Sequence, residues 1–255
     1  LRKAIEGHED LAVGYCDFKG MKNAREAICE YEKSKGIQGI TPDDVFIGNG
    51  VSEVVNFALM PLLNDGDEVL VPSPSYSLWG NSVYLASGNP VFYTCDEQSN
   101  WYPDVADIRS KVTPKTKAIV IINPNNPTGI LTPRDDMLNP VQEAEDTSSM
   151  LFVDEAFMEL AEKDESISDV RSENLFVMRS ITKCFTVPGL RFGFGFGEPK
   201  LIEKIETART PWTVNAFAEK YAITAFDHYE ELKESAAKIT EERNWYTAEI
   251  EKLGL

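Results

Sequence analysis

Short, strongly apolar runs alternate with longer amphipathic runs between residues 45 and 196. Two of the short runs, AIVII at 118–122 and LFV at 151–153, are continuously hydrophobic rather than alternating with polar residues. Continuous hydrophobicity is typical of parallel strands that are covered on both faces. The pattern therefore predicts a three-layer α/β/α fold, in which a mainly parallel sheet lies between two layers of helices.

The same pattern places individual elements along the chain. Strands are predicted at 45–47, 68–71, 90–95, 118–122, 150–153, 175–178 and 190–196. Helices are predicted at 51–63, at a segment that ends near 81–86, and at 104–112. Residues 214–253 are charged, favour helix and contain no proline or glycine, so one or two long helices are expected to end the chain.

The composition narrows the classes of function. With 255 residues, of which 42% are hydrophobic and 26% charged, the chain suits one large domain, or one domain with part of a second. The formal net charge of −17 argues against nucleic acid and anionic membranes as partners, because both are themselves negative. No apolar run reaches membrane-spanning length, and the start of the chain does not resemble a signal peptide.

Cysteine and histidine usage argues against a metal site. The four cysteines form no CxxC pair, and two histidines far apart in the sequence are too few for a zinc site. Reduced thiols are typical of the cytoplasm, so we expect a soluble cytoplasmic protein.

Chemically suggestive motifs follow four of the predicted strands. GNGVSE at 48–53 follows the first, NPNNPTG at 123–129 follows 118–122, DEAF at 154–157 follows 150–153, and SITK at 180–183 follows 175–178. Ligands of open parallel sheets bind beyond the carboxyl ends of the strands, so these motifs are expected to converge. Taken singly, each has a structural explanation: a glycine turn, a proline turn, a helix cap at Asp154 and a solvated lysine at Lys183.

The segment GFGFG at 193–197 is similar to a dinucleotide-binding fingerprint. Its glycines fall inside a predicted apolar strand, and no helix start follows at the required position. A nicotinamide site is therefore rejected, because that fingerprint needs a turn from a strand into a helix.

In combination the motifs resemble those of the class I/II aminotransferases, which are fold-type-I pyridoxal-phosphate (PLP) enzymes. Asn126 precedes Asp154 by 28 residues, Asp154 precedes Lys183 by 29, and Arg191 follows Lys183 by eight. The resemblance extends from Tyr15 to the last predicted helix. It implies that residues 1–255 form the PLP-binding large domain, with about 221–255 as the helical start of a small domain.

The resemblance implies a role for several motif residues. Lys183 would hold the cofactor as a Schiff base and, once freed, move a proton at the substrate carbon. Asp154 would pair with the protonated pyridine nitrogen, and the Asn126 amide would donate to the ring 3-oxygen. Phe157 stands where the family often has tyrosine and cannot donate to that oxygen, a change that is expected to tune the cofactor.

Further residues are implied at the phosphate and at the ring. A phosphate would lie at a helix start, beside hydroxyl groups and a guanidinium. The residues implied there are Gly50, Val51, Ser52, Ser180, Thr182 and Arg191. Tyr76 would stack on the pyridine ring, with a half-buried core tyrosine as the alternative. Tyr15 is similar to the family tyrosine that reaches the cofactor phosphate of the neighbouring subunit, which implies a homodimer.

Different parts of the chain resemble different members of the family. Residues 11–130 resemble bacterial alanine aminotransferases, and residues 150–255 are similar to threonine-phosphate decarboxylases and histidinol-phosphate aminotransferases. Residues 131–149 fit neither group, which leaves open both a recombined chain and an outlying natural subfamily.

The resemblance implies transfer of an amino group between an amino acid of the alanine or glutamate type and a 2-oxo acid. Two alternatives remain: α-decarboxylation of a phosphorylated amino acid, and a cofactor-binding core without turnover. Family members run well beyond this length, and both ends of the chain look cut. The arginine that binds the substrate carboxylate is therefore expected to lie outside it, so cofactor binding should be better preserved than turnover.

Overall fold

The computed structural model describes residue 6 and residues 14–254 of the chain. Its strands are β1 Val45–Gly48, β2 Glu68–Ser73, β3 Asn89–Thr94, β4 Thr116–Ile122, β5 Met150–Asp154, β6 Leu175–Ser180 and β7 Gly193–Phe196. Its α-helices are α1 Lys22–Ser34, α2 Val51–Leu59, α3 Leu78–Leu85, α4 Val105–Lys111, α5 Arg134–Thr147, α6 Ile181–Cys184, α7 Pro199–Glu206, α8 Ala216–Phe226 and α9 Tyr229–Glu251. Single turns of 3-10 helix lie at Pro42–Asp44, Glu97–Ser99 and Met158–Leu160.

These strands form one sheet in the order β1-β7-β6-β5-β4-β2-β3. β2 to β6 pair in parallel, whereas β7 runs antiparallel to both of its neighbours, β6 and β1. The other six strands therefore end at one edge of the sheet, which we call the carboxyl edge, and β7 begins there. The mainly parallel α/β sheet predicted from the sequence is confirmed.

Successive side chains of the central strands enter two different hydrophobic clusters, one on each face of the sheet. In β5, Phe152 belongs to one cluster and Val153 to the other, and both are at most 1% exposed. Helices α2, α3 and α7 cover the face of Phe152, and α1, α5 and α8 cover the face of Val153. Because both faces are covered, β4 and β5 carry continuous apolar runs.

Two predicted boundaries are wrong for local reasons. The helix predicted at 51–63 ends at Leu59, and residues 60–62 form a turn because Pro61 has no N–H to donate a helical hydrogen bond. The strand predicted at 190–196 begins only at Gly193, because Arg191 has a φ of +59°, which a strand does not accept. Gly193 and Gly195 do lie within a strand, as predicted.

Two helices, α8 and α9, account for the helical segment predicted at 214–253, and they are separated at Asp227 and His228. A boundary at residue 221 would fall inside α8, and the assignment of the later residues to a small domain stays a prediction. α9 is largely exposed, has Leu232 as its one buried residue, and packs against the turn Met158–Leu160. Among the described residues, no helix combines the length and the apolar character that a membrane crossing requires.

Candidate active site at the carboxyl edge of the sheet

The motifs NPNNPTG and DEAF lie side by side at the carboxyl edge. Ile122 at the end of β4 is opposite Asp154 at the end of β5, and the Asn123 amide donates to the Asp154 carbonyl at 2.9 Å. The Asn123 side chain also closes its own loop, since its Oδ1 accepts from the Thr132 amide at 2.7 Å and its Nδ2 donates to the Thr132 carbonyl at 3.0 Å. The loop that carries Asn126 is therefore tied down next to β5.

Asp154 is a buried carboxylate, with 7% of its surface exposed. Its Oδ1 accepts from the Ala156 amide at 3.1 Å, which is the local backbone cap expected of an aspartate, and its Oδ2 accepts from the indole Nε1 of Trp79 at 2.9 Å. Burial raises the pKa of Asp154, and these two donors oppose the rise. No lysine or arginine of residues 14–254 pairs with it, so the site fits a ligand that brings a positive charge.

Elsewhere along the carboxyl edge, the start of β7 lies against the first turn of helix α2. Gly193 is opposite both Gly48 in β1 and Ser180 in β6. A Cβ atom on Gly193 would lie 2.3 Å from the backbone nitrogen of Val51, so β7 touches the first turn of α2. Within the described chain the amides of Val51 and Ser52 donate to no carbonyl, as is usual in a first helical turn. These amides are available to bind an anion.

Arg191 lies over this helix start. A Cβ atom on Gly50 would lie 2.5 Å from Nη2 of Arg191 and would displace that guanidinium. Gly50 also has a φ of +83°, which favours glycine. The guanidinium is held in place by Nη1, which donates to the Pro188 carbonyl at 3.1 Å.

The hydroxyl groups of Ser180 and Thr182 are buried and lie 2.8 Å apart. Ser180 is opposite Gly193, so these hydroxyls belong to the same part of the edge. Backbone amides, hydroxyls and one guanidinium together fit a phosphate group. We call this set the anion cluster; its members are Gly50, Val51, Ser52, Ser180, Thr182 and Arg191. These are the residues that the sequence implied at a phosphate, and that role stays a prediction. The Gly50 amide already donates to the Gly48 carbonyl at 2.8 Å, so the amides left for an anion are those of Val51 and Ser52.

Lys183 lies in the short helix α6, three residues beyond the end of β6. The side chain of Ser180 caps this helix by accepting from the Thr182 amide at 3.3 Å. Lys183 is exposed, and its amine makes no hydrogen bond or salt bridge within the part of the chain that the structure describes. An unpaired amine this close in the chain to the anion cluster fits a covalent attachment point, and this assignment stays a prediction.

Asn126 and Phe157 line one cavity of about 540 Å³. They come from the loops after β4 and β5, so neighbouring strands bring them together as the sequence predicted. Helix α9 contributes Arg243 to the same cavity, where its Nη2 donates to Glu162 at 2.9 Å. Lys183 does not line this cavity, which therefore borders the candidate site rather than containing it.

Two candidate tyrosines are exposed. Tyr76 is 55% exposed and lies two residues before α3, and its stacking role stays a prediction beside the alternative of a half-buried core tyrosine. An aromatic ring that is open to solvent can stack on a bound ring. Tyr15 is 85% exposed, and its ring centroid lies 4.7 Å from that of Trp212. Its role across a subunit interface stays a prediction.

A buried ion network fixes the ends of β5 and β6 relative to each other. Arg179 precedes Ser180 in β6, is fully buried, and binds Glu155, which directly follows Asp154. Its carboxylate partners are Glu32 at 3.0 Å, Glu155 at 3.0 Å and Glu159 at 2.8 Å. Removing one member of such a network leaves an uncompensated buried charge, so the network resists displacement of either strand end.

The sequence patterns single out neither Trp79 nor Arg179. An arginine inside the otherwise apolar run LFVMRS is an exception to the usual exposure of charged residues, and that exception is a usable signal. Trp79 offers no such signal, because an indole in an apolar helix reads as ordinary core.

A buried acid, an anion cluster and an unpaired lysine at one edge of a mainly parallel sheet fit the class of α/β proteins that bind a phosphate-bearing cofactor. The chain belongs to the family of class I and II aminotransferases, whose model matches residues 2–255. Membership of this family implies pyridoxal phosphate as the cofactor.

The comparisons identify relatives of two kinds. The glutamate-pyruvate aminotransferase AlaA of Haemophilus influenzae is 46% identical over 187 residues, which cover 72% of this chain and 46% of that protein. A putative threonine-phosphate decarboxylase of Caldanaerobacter subterraneus is 34% identical over 244 residues, which cover 94% of this chain and 62% of that protein. Among solved structures, the alanine aminotransferase of Pyrococcus furiosus superposes with a TM-score of 0.87 at 32% sequence identity. The superposed part covers 96% of this chain and 65% of that protein.

The chain spans about half the length of the AlaA relatives that it matches. The resemblance to both kinds of relative, expected from the motifs, is confirmed. The alignment with AlaA is longer than the segment 11–130, and the alignment with the decarboxylase covers nearly the whole chain. Neither resemblance is therefore confined to one half.

Proposed function

We propose that this protein binds PLP at the carboxyl edge and moves an amino group between an amino acid of the alanine or glutamate type and a 2-oxo acid. The observation that carries the proposal is Asp154, a buried carboxylate without a counter-charge among the described residues, at the same sheet edge as the anion cluster. The substrate class is supported by relatives named glutamate-pyruvate aminotransferase and alanine aminotransferase.

The residues present fit this cofactor. When bound, PLP supplies an aldehyde that condenses with amines and a protonated pyridine ring that accepts an electron pair. The Nζ of Lys183 provides the amine that holds it and, once released, removes and returns the proton at the α-carbon of the substrate. Asp154 accepts the pyridine N–H, because an ionised carboxylate has lone pairs left beyond those bound to Trp79 and Ala156.

The other residues orient the ring. The anion cluster binds the phosphate through the positive end of α2 and the guanidinium of Arg191. The Asn126 amide donates to the ring 3-oxygen, and Phe157 gives that side of the ring an apolar contact. Tyr76 stacks on the ring face.

The proposed assembly is a homodimer in which Tyr15 binds the cofactor phosphate of the neighbouring subunit, in the cytoplasm. The exposure of Tyr15 supports this part, since an exposed phenol is accessible to a second subunit. The four cysteines are free thiols, as is usual in a reducing compartment.

The covalent step is tested by a visible spectrum of the protein with PLP, before and after borohydride, followed by peptide mapping. The reduced adduct is expected on Lys183, and Lys183→Ala should show none. Lys200→Ala is a matched control, because Lys200 is an 85% exposed lysine whose partner is Glu173. Protein that stays colourless with saturating PLP, or carries the label elsewhere, would overturn the proposal.

A second candidate function is α-decarboxylation of a phosphorylated amino acid. It is favoured by the putative threonine-phosphate decarboxylase, whose alignment covers 94% of this chain. Incubation with alanine, glutamate or threonine phosphate, each together with a different 2-oxo acid that accepts the amino group, separates the two activities through the products formed from the amino acid. Keto-acid formation without carbon dioxide supports transfer, and carbon dioxide without keto acid supports decarboxylation. A labelled Lys183 with neither product indicates a cofactor-binding core without turnover.

A further inference from the structure

The indole of Trp79 donates to the buried carboxylate of Asp154, the residue proposed to bind the pyridine nitrogen. We infer that Trp79 is a positioning residue, whose indole N–H keeps the Asp154 carboxylate ionised and oriented towards the pyridine nitrogen. The inference rests on the proposed function, because Asp154 faces a pyridine ring only if PLP binds at this edge.

The geometry isolates the indole as the one side-chain donor to Asp154 among the described residues. Trp79 is fully buried, and its Nε1 lies 2.9 Å from Oδ2. The other oxygen, Oδ1, is held by the amide of Ala156 within its own turn. Residues 75 positions apart in the chain are thus joined by a single hydrogen bond inside the core.

The chemistry of indole suits this position. An indole N–H is a donor only and does not titrate, so it can neither accept the proton of a neutral Asp154 nor lose its own. A donor to a buried carboxylate stabilises the ionised form relative to the neutral acid. Burial alone raises the pKa of Asp154, and the indole works against that rise at every working pH.

The chain places this donor next to the predicted stacking residue. Trp79 lies in the first turn of α3, three residues after Tyr76. Its ring packs in the core against Phe152, with 5.8 Å between ring centroids. One short segment therefore supplies an exposed ring for the face of the pyridine and a buried donor for the acid that binds its nitrogen.

The test removes the donor and keeps an aromatic ring. Trp79→Phe and the parent protein are loaded with PLP labelled with ¹⁵N at the ring nitrogen, and the protonation of that nitrogen is measured by NMR. A hydrogen bond to a charged group shifts an equilibrium by about tenfold to a hundredfold. The ratio of protonated to neutral ring nitrogen should therefore fall by that factor in Trp79→Phe. The rate of proton removal from the substrate carbon should fall with it.

Two further variants distinguish a positioning role from simple loss of packing. Trp79→His restores an N–H, because Nε2 of imidazole is as many bonds from Cγ as Nε1 of indole, and it should recover ring protonation at least in part. Phe152→Leu loosens the same cluster without removing the donor, so it should lower the melting temperature and leave the ¹⁵N shift unchanged. If Trp79→Phe is too unstable to bind PLP, Trp79→His is compared with the parent protein instead. A histidine variant that binds PLP but leaves the pyridine nitrogen unprotonated contradicts the inference.

The possible failures can be told apart. Borohydride labelling of Lys183 with an unchanged ¹⁵N shift in Trp79→Phe overturns the inference and leaves the proposed function standing. Absence of labelling in the parent protein overturns both. Labelling in both proteins, with a ratio of protonated to neutral ring nitrogen that is about tenfold to a hundredfold lower in Trp79→Phe, is the expected result.

Discussion

Replacement of Arg179 by leucine is the sharpest test of the buried ion network behind the site. The change removes a fully buried guanidinium that lies 2.8 to 3.0 Å from Glu32, Glu155 and Glu159. Glu155 then has no cation partner among the described residues, whereas Glu32 and Glu159 keep only the amine of Lys35 at 3.5 and 3.6 Å. Breaking a buried pair by removing one partner costs about 3–5 kcal/mol. For a protein of this size that corresponds to a fall in melting temperature of about 6–20 °C.

The loss should depend on pH with a definite sign. Burial raises the pKa of Glu155, and Arg179 opposes that rise, so the pKa in the folded state will be higher still in the variant. An acid with a raised folded pKa is neutral in the folded state but ionised in the unfolded state between its two pKa values. The folded variant therefore gains stability as the pH falls through that window, and its deficit should be smaller at pH 5 than at pH 7.5.

The assay is urea unfolding of both proteins at the two pH values, with Arg243→Leu as a matched control. Arg243 and its partner Glu162 are both more than half exposed, and exposed pairs contribute about 0–1 kcal/mol. If Arg179→Leu costs no more than Arg243→Leu at pH 7.5, or costs more at pH 5 than at pH 7.5, the reasoning about the network is wrong.

Two further predictions concern the anion cluster and a second buried acid. Gly50→Ala should weaken PLP binding by about tenfold to a hundredfold in a fluorescence titration, because the added Cβ would displace the guanidinium of Arg191. Gly66→Ala is the control. Gly66 shares the positive φ, but a Cβ there would meet nothing within 4 Å, so this variant should bind PLP normally. Burial raises the pKa of Glu219 from its usual 4.5 to about 7, so thermal stability should fall as the pH rises between those values. Glu219→Gln should flatten that part of the profile, and a slope unchanged in the variant would contradict the assignment.

The strands were predictable because burial on both faces leaves a strong signal in the sequence. β4 and β5 are continuous apolar runs, and the structure places them in the middle of the sheet. α5 was not predicted, since Pro140 argues against a helix interior. The helix forms nevertheless because Met137, Val141 and Ala144 recur at helical spacing and are all buried against the sheet.

The candidate site divides in the same way. Residues at strand ends, such as Asp154 and Ser180, were predictable because the parallel topology brings those ends to one edge. Trp79 was not, because its contact joins positions 75 residues apart and depends on how α3 packs. The ion pairs of Arg179 span up to 147 residues and are equally invisible in local patterns.

The antiparallel direction of β7 has a consequence for how a ligand would be bound. Because β7 starts where the other strands stop, the chain passes from Lys183 to Arg191 through one short connection without crossing a face of the sheet. The two ends of a rigid cofactor, one bonded and one ion-paired, would be fastened to that single loop. The length of this loop would then have to match the distance between the two ends of the cofactor. Insertions or deletions between Lys183 and Arg191 should therefore be tolerated less than changes of length in other surface loops.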